Sequence, residues 1–295
     1  MINSFPDALT TATYAALFIS VLSLWIGRAA WVTALIIAMA LGYASGVLTG
    51  LSALGIALLA ALCTLYCRFK QSPRTLGNGA ALAAAGFGIA IVAILLAVHV
   101  WPGFHNLLVA KDVVLTPGAA PYTLYLNFDK TAVGILILGI LYSPLMRTAA
   151  DWRLALKRAA PILVLNIVLL IAIALPLGYL RFDPKWTALF WIWAPANLLL
   201  TCLSEEAFFR GFIQRELAGF LGQRASTQWI PLAASALLFG LAHIAGGWSY
   251  VLLATIAGVG YAWVFQRTQR IEMSMLAHFA LNATHFLLLT YPRAA

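Results

Sequence analysis

The chain is 295 residues long, 63% hydrophobic and only 9% charged, with a formal net charge of +9. This composition leaves too little polar surface to cover a water-soluble globule, so it predicts a polytopic helical membrane protein. The positive charge does not indicate nucleic acid, because Lys and Arg are spread over the joints between apolar segments, where they set membrane orientation. We therefore expect the lipid bilayer, and no nucleic acid, as a partner.

Apolar runs separated by short polar joints predict about ten transmembrane spans in an all-α bundle. The first four spans and the long loop Pro102–Lys130 form a predicted N-terminal transmembrane region, residues 1–130. Residues 131–295 form the C-terminal region, in which we expect a polar intramembrane cavity. The predicted spans are 10–26, 29–48, 51–69, 80–101, 131–146, 160–180, 186–208, 229–245, 249–266 and 271–291.

Most of the 18 Lys and Arg residues fall in joints that follow odd-numbered spans. The positive-inside rule then places both termini outside and the joint around Arg215–Arg224 in the cytoplasm. With no organelle signal in the sequence, this pattern predicts a multi-pass protein of a bacterial inner membrane. Cys63, Cys67 and Cys202 lie inside apolar segments, and their spacing predicts neither disulfides nor a zinc cluster.

Three ionisable residues interrupt the seventh predicted span. Glu205 and Glu206 are adjacent, and Arg210 follows Glu206 by one helical turn. A charge at mid-bilayer costs about 2.5–3.5 kcal/mol on insertion scales, so such residues indicate a functional site. On a helix Glu206 can pair with Arg210, whereas Glu205 projects about 100° away from Glu206 and is left free of that pair.

Two further polar patterns follow in the later spans. His243 closes the stretch Phe239–His243, and His278 and Asn282 lie one turn apart in the last span. Glu205 and His243 are equally far along the chain from Arg224, at the joint between their spans. They are therefore at similar depth if the two helices are antiparallel. We expect a carboxylate, two imidazoles and an amide to converge in one cavity.

Such a group suits the hydrolysis of a carbonyl compound. A buried carboxylate can act as general base and then general acid, and a neighbouring imidazole can hold the attacking water. The second imidazole and the carboxamide can stabilise an oxyanion. Alternatively, one Glu and two His could ligate zinc. No HExxH pattern occurs in the chain.

The three patterns resemble the EExxxR, FxxxH and HxxxN signatures of the CAAX-protease and bacteriocin-processing family of type II CAAX prenyl endopeptidase-like intramembrane proteases. The resemblance covers roughly residues 196–288. It implies a peptidase in which Glu205 is the base, His243 positions the water, and His278 with Asn282 forms the oxyanion hole.

The resemblance also implies that Glu206 and Arg210 orient the helix and tune Glu205. It leaves the cofactor open between zinc and none, and we expect none. The substrate is expected to be a peptide or protein segment whose apolar part enters from the bilayer.

Two other functions fit the same residues. A proton-coupled transporter would use Glu205, His243 and His278 as a relay, but it would be expected to have related sites in two repeats, and no internal repeat is evident. A non-catalytic immunity or partner protein of the same fold is the other alternative.

Overall fold

The computed structural model describes residues 6–73, 75–142, 145–222 and 227–295, and most of them are helical. The described helices are α1 (Ala8–Ser23), α2 (Arg28–Ala44), α3 (Gly50–Gln71), α4 (Leu76–Ala97), α5 (Phe128–Leu136), α6 (Ala149–Ala174), α7 (Phe190–Ala196), α8 (Leu203–Glu206), α9 (Arg215–Leu221), α10 (Trp229–Leu241), α11 (Trp248–Thr268) and α12 (Ile271–Leu288).

Four of these helices, α3, α4, α6 and α11, are long and apolar enough to cross a membrane, and α1, α2 and α10 are shorter apolar helices. Large apolar side chains such as Ile19, Phe87 and Val164 are exposed on their outer faces. Lipid contact requires an apolar exterior, because polar side chains are costly in hydrocarbon. The backbone polar groups of a helix are satisfied within the helix itself. The chain is thus a helical membrane protein, and the number of about ten spans stays a prediction.

The loop Pro102–Lys130 departs from the all-α prediction. Two antiparallel strands, β1 (Leu107–Val113) and β2 (Tyr122–Leu126), form a hairpin in which Leu107 pairs with Leu126. β-branched and aromatic residues favour strands, and Pro117–Gly118 supplies the turn, where Gly118 has φ +82°. In the sequence these local signals are weaker than the long apolar runs on either side, so the segment was predicted to be a loop between spans.

The hairpin packs on the helices that follow it. Ala110 and Leu124 of the two strands share a buried cluster with Leu189, Trp193 and Phe286. The Trp193 and Phe286 rings stack with centroids 4.4 Å apart. This cluster joins the hairpin to α7 and to the end of α12.

One continuous helical run, residues 190–221, carries the first polar pattern, and we call it the motif helix. Within it α7, α8 and α9 are separated by two π segments, which are Asn197–Cys202 and Ala207–Gln214. Pro195 lies two residues before the first π segment and has no amide N–H to donate. α5, α10 and α12 pack around the motif helix and so bring the later polar patterns towards it.

Candidate active site

Both glutamates of the motif helix lie in α8, the single α-helical turn between the two π segments. π segments are rare and occur frequently at functional sites. Glu206 is completely buried, and the side chain of Glu205 is 13% exposed. The two neighbouring carboxylates therefore meet different surroundings.

Glu206 is the centre of a buried hydrogen-bond network. Its Oε1 accepts from Nη1 of Arg210 at 3.0 Å and lies 2.9 Å from Nδ1 of His278. Its Oε2 accepts from the Ser274 hydroxyl at 2.8 Å. The predicted Glu206–Arg210 pair is therefore present, and the same carboxylate also holds α12 against the motif helix.

Arg210 is also completely buried. Its Nη2 donates to the Gly258 carbonyl oxygen at 2.9 Å, and its guanidinium lies 4.7 Å from the Phe239 ring centroid and 5.4 Å from that of Tyr261. A buried charge is tolerated when it is paired and hydrogen-bonded, and the aromatic faces add cation–π attraction. Arg210 thus fixes α10 and α11 relative to the motif helix.

Glu205 is free of the Arg210 pair, as predicted, but it has a partner that the sequence did not reveal. Its Oε1 accepts from Nζ of Lys130 in the first turn of α5, at 2.5 Å. Its Oε2 lies 3.9 Å from Nε2 of His278, beyond hydrogen-bond distance. One carboxylate oxygen of Glu205 is therefore paired with Lys130, while no described residue donates a hydrogen bond to the other.

The two histidines have defined hydrogen-bond partners at Nδ1. In His278, Nδ1 meets the Glu206 carboxylate, and in His243 it lies 2.7 Å from the Phe239 carbonyl oxygen. Because both partners accept, each Nδ1 carries a proton in this arrangement, and each Nε2 accepts when its ring is neutral and donates when the ring is an imidazolium. The His278 ring also stacks on Tyr261, with centroids 4.5 Å apart.

Asn282 is hydrogen-bonded within the bundle. Its Nδ2 donates to Oδ1 of Asn197 at 3.1 Å, and it lies 3.8 Å from Sγ of Cys202. Asn197 begins the first π segment and was missed by the sequence analysis. A carboxamide in an apolar helix is the signal that could have identified it, because such groups commonly bond across helices in membranes.

Two cavities meet at His243. The first, which we call the Glu205 cavity, has a volume of about 570 Å³ and is lined by Lys130, Glu205 and His243 among apolar side chains. The second, the His278 cavity, has a volume of about 100 Å³ and is lined by His243, His278 and Asn282. Glu205 thus lines the first cavity and His278 and Asn282 line the second, although Oε2 of Glu205 lies only 3.9 Å from Nε2 of His278.

The Glu205 cavity has walls on the outer surface of the bundle. Ile94 of α4 and Leu238 of α10 line it, and these side chains are 47% and 44% exposed. Because both helices are apolar on their outer faces, this opening is suited to a lipophilic chain.

The side chains of the site do not make a metal-ligand set. Within the described residues, no group of three or more His, Cys, Asp or Glu side chains is arranged to hold a metal ion. Nδ1 of each imidazole is hydrogen-bonded, an arrangement that metal-binding histidines share, and Glu206 neutralises Arg210.

The fold and site define a helical membrane protein with a buried carboxylate and imidazole cluster. Residues 184–284, about a third of the chain, match the family model "Type II CAAX prenyl endopeptidase Rce1-like". This part of the chain is thus similar to a family of membrane proteases, which confirms the resemblance predicted from the three patterns. No curated protein and no solved structure matches the chain.

Proposed function

We propose that the protein is an intramembrane endopeptidase that hydrolyses a peptide bond of a membrane-associated or lipophilic peptide or protein. The observation that carries the proposal is the Glu205 carboxylate. It lines a cavity of about 570 Å³ together with His243, and its Oε2 accepts no hydrogen bond from the described residues, with Nε2 of His278 3.9 Å away. A cavity of this size is in the range of ligand sites.

In the proposed reaction, water attacks the peptide carbonyl carbon while Oε2 of Glu205 takes the water proton. Nε2 of neutral His243 is an acceptor and can hold the second hydrogen of that water. The C–N bond then breaks, and the proton on Glu205 passes to the leaving nitrogen. The products are a carboxylic acid and an amine.

The sequence hypothesis assigns the oxyanion to His278 and Asn282. In their observed arrangement, neutral His278 offers an acceptor at Nε2, and the Asn282 amide donates to Asn197. His278 would contribute only as the imidazolium, and Asn282 only after turning from Asn197. Glu206 and Arg210 act through the others, because they hold His278 and the motif helix in place.

The opening between α4 and α10 supports a substrate that enters from the bilayer, and the matched family supports a prenylated peptide as one candidate. The distribution of Lys and Arg supports a bacterial plasma membrane as the location.

The test is a comparison of protein termini in membranes from cells that produce the wild type or Glu205→Gln. New N- and C-termini should appear with the wild type and be absent with the variant, because the amide has the same shape but cannot take the proton. Glu216→Gln is the matched control. Glu216 lies at the far end of the motif helix, in α9, and bonds to Tyr66 and Lys70.

The same termini from Glu205→Gln as from the wild type would refute the assignment of the base. A proton-coupled flux that depends on the protein and is lost in Glu205→Gln, with no altered termini in the wild type, would support the transporter instead.

A further inference from the structure

We propose that Lys130 is a second catalytic residue of this site, whose ammonium group donates a hydrogen bond to the substrate carbonyl oxygen as it becomes an oxyanion. This inference rests on the proposed peptidase function and adds a group that none of the three sequence patterns contains.

The two histidines of the site are short of hydrogen-bond donors. A tetrahedral intermediate needs N–H or O–H donors aimed at its oxygen. His243 and His278 use their Nδ1 protons on a backbone carbonyl and on Glu206, so their free Nε2 atoms accept when the rings are neutral. Neutral imidazoles in this arrangement can hold a water but cannot donate to an oxyanion.

Other polar groups near Glu205 are also engaged. The Asn282 amide donates to Asn197 at 3.1 Å, and the Ser204 hydroxyl, in the wall of the Glu205 cavity, donates to the Leu200 carbonyl oxygen at 2.7 Å. Among the described residues that line this cavity, Lys130 is the donor whose N–H groups are not all used, because one of its three meets Glu205.

The Lys130 ammonium group lies beside Glu205 in the same cavity. It has three N–H donors, and one of them meets Oε1 of Glu205 at 2.5 Å. The side chain is 18% exposed and lines the same cavity. The neighbouring Asp129 does not compete for it, because the Asp129 carboxylate is completely buried and bonded to Asn106 at 3.0 Å and to His99 at 2.8 Å.

The negative charge moves from Glu205 to the substrate during the reaction. As water attacks, the carbonyl π electrons move to oxygen, and Glu205 becomes neutral by taking the water proton. The negative charge thus leaves the partner of Lys130 and appears on the substrate oxygen. Lys130 keeps all its protons and can follow the charge, so its attraction to the oxyanion is stronger in the transition state than in the ground state. A poorly polar cavity strengthens that attraction.

The test uses Lys130→Met and Lys130→Arg, with Lys157→Met as the matched control, since Lys157 is an exposed lysine of α6. The rate at which wild-type-dependent termini appear in membranes is followed at equal protein amounts. With Lys130→Met this rate should fall about 10²–10³-fold, as for loss of an oxyanion donor. Lys130→Arg should recover part of it, and the control should match the wild type.

A synthetic peptide that spans the cleavage point with the most abundant new termini then separates catalysis from binding. With Lys130→Met, kcat should fall and KM should change little. A phosphinate analogue of that peptide, which mimics the tetrahedral oxyanion, should bind about 10²-fold more weakly to Lys130→Met. An uncleavable N-methylated peptide should bind both proteins alike. A purely structural Lys130 would not separate the two analogues.

The outcomes distinguish this inference from the proposed function. Absence of any termini with the wild type would remove both. Loss of termini in Glu205→Gln together with Lys130→Met within threefold of the wild type, or faster, would overturn the role of Lys130 alone. If Lys130→Met does not fold, Lys130→Arg and Lys130→Gln keep an N–H donor, and both analogues are measured on them. Equal weakening of both analogues in these variants would also overturn it.

Discussion

The adjacent glutamates should respond very differently to the same substitution. Glu206→Gln keeps the side-chain shape but removes the charge from a completely buried carboxylate. That carboxylate is hydrogen-bonded to Arg210, His278 and Ser274. It leaves Arg210, also completely buried, without its counter-charge. Breaking a buried pair in this way costs about 3–5 kcal/mol, which lowers the folding equilibrium constant by roughly two to four orders of magnitude.

Glu205→Gln leaves Lys130 without its carboxylate, but this pair is 13% and 18% exposed and faces a cavity in which the ammonium can be hydrated. We expect a cost of about 1–2 kcal/mol, between the values for exposed and buried pairs. Glu205→Gln should therefore be folded and inactive, whereas Glu206→Gln should lose stability first.

The assay is unfolding of both purified variants in one detergent, followed by tryptophan fluorescence. Glu206→Gln combined with Arg210→Met provides the control, because it removes both charges and should be more stable than Glu206→Gln alone. Equal stability of the two single variants, or no recovery in the double variant, would refute the reasoning from burial.

Three further predictions concern the same site. The double variant Lys130→Met, Glu205→Gln should be more stable than the sum of its single changes predicts, with a coupling of about 0.5–3 kcal/mol in unfolding measurements; strict additivity would argue against the ion pair. Asn197→Ala should lower the appearance of termini about as much as Asn282→Ala, because the two carboxamides hold each other, and a variant at wild-type rate would contradict this. Treatment with a strong chelator should leave activity unchanged, and loss restored by added zinc would show a metal enzyme.

The sequence was informative where partners lie in one helix. Glu206 and Arg210 are four residues apart, and helical geometry alone brings them together. Glu205 and Lys130 are separated by 75 positions, so their contact depends on how α5 crosses the motif helix. A lysine at the start of a span already has an ordinary explanation, which is that its charge reaches the membrane surface.

The π segments and the division of the site into two cavities were also beyond the sequence. The first π segment contains Asn197 and Thr201 among apolar residues, but nothing in that pattern distinguishes a π turn from a uniform helix of 3.6 residues per turn. The hairpin β1–β2 contains the expected β-branched and aromatic residues, but it packs against Trp193 and Phe286, which lie far along the chain.

The contact between α5 and α8 depends on a glycine one turn after Lys130. A Cβ added at Gly134 would lie 2.8 Å from Cα and from Oγ of Ser204, beside Glu205. Backbone cannot yield as a flexible side chain does, so Gly134→Ala should push α5 away and separate Lys130 from Glu205, at a cost of about 1–3 kcal/mol. Gly219→Ala, in α9, is the matched control because its Cβ meets nothing within 4 Å. The appearance of termini should fall in Gly134→Ala and not in the control, and full activity in Gly134→Ala would show that this close approach is not needed.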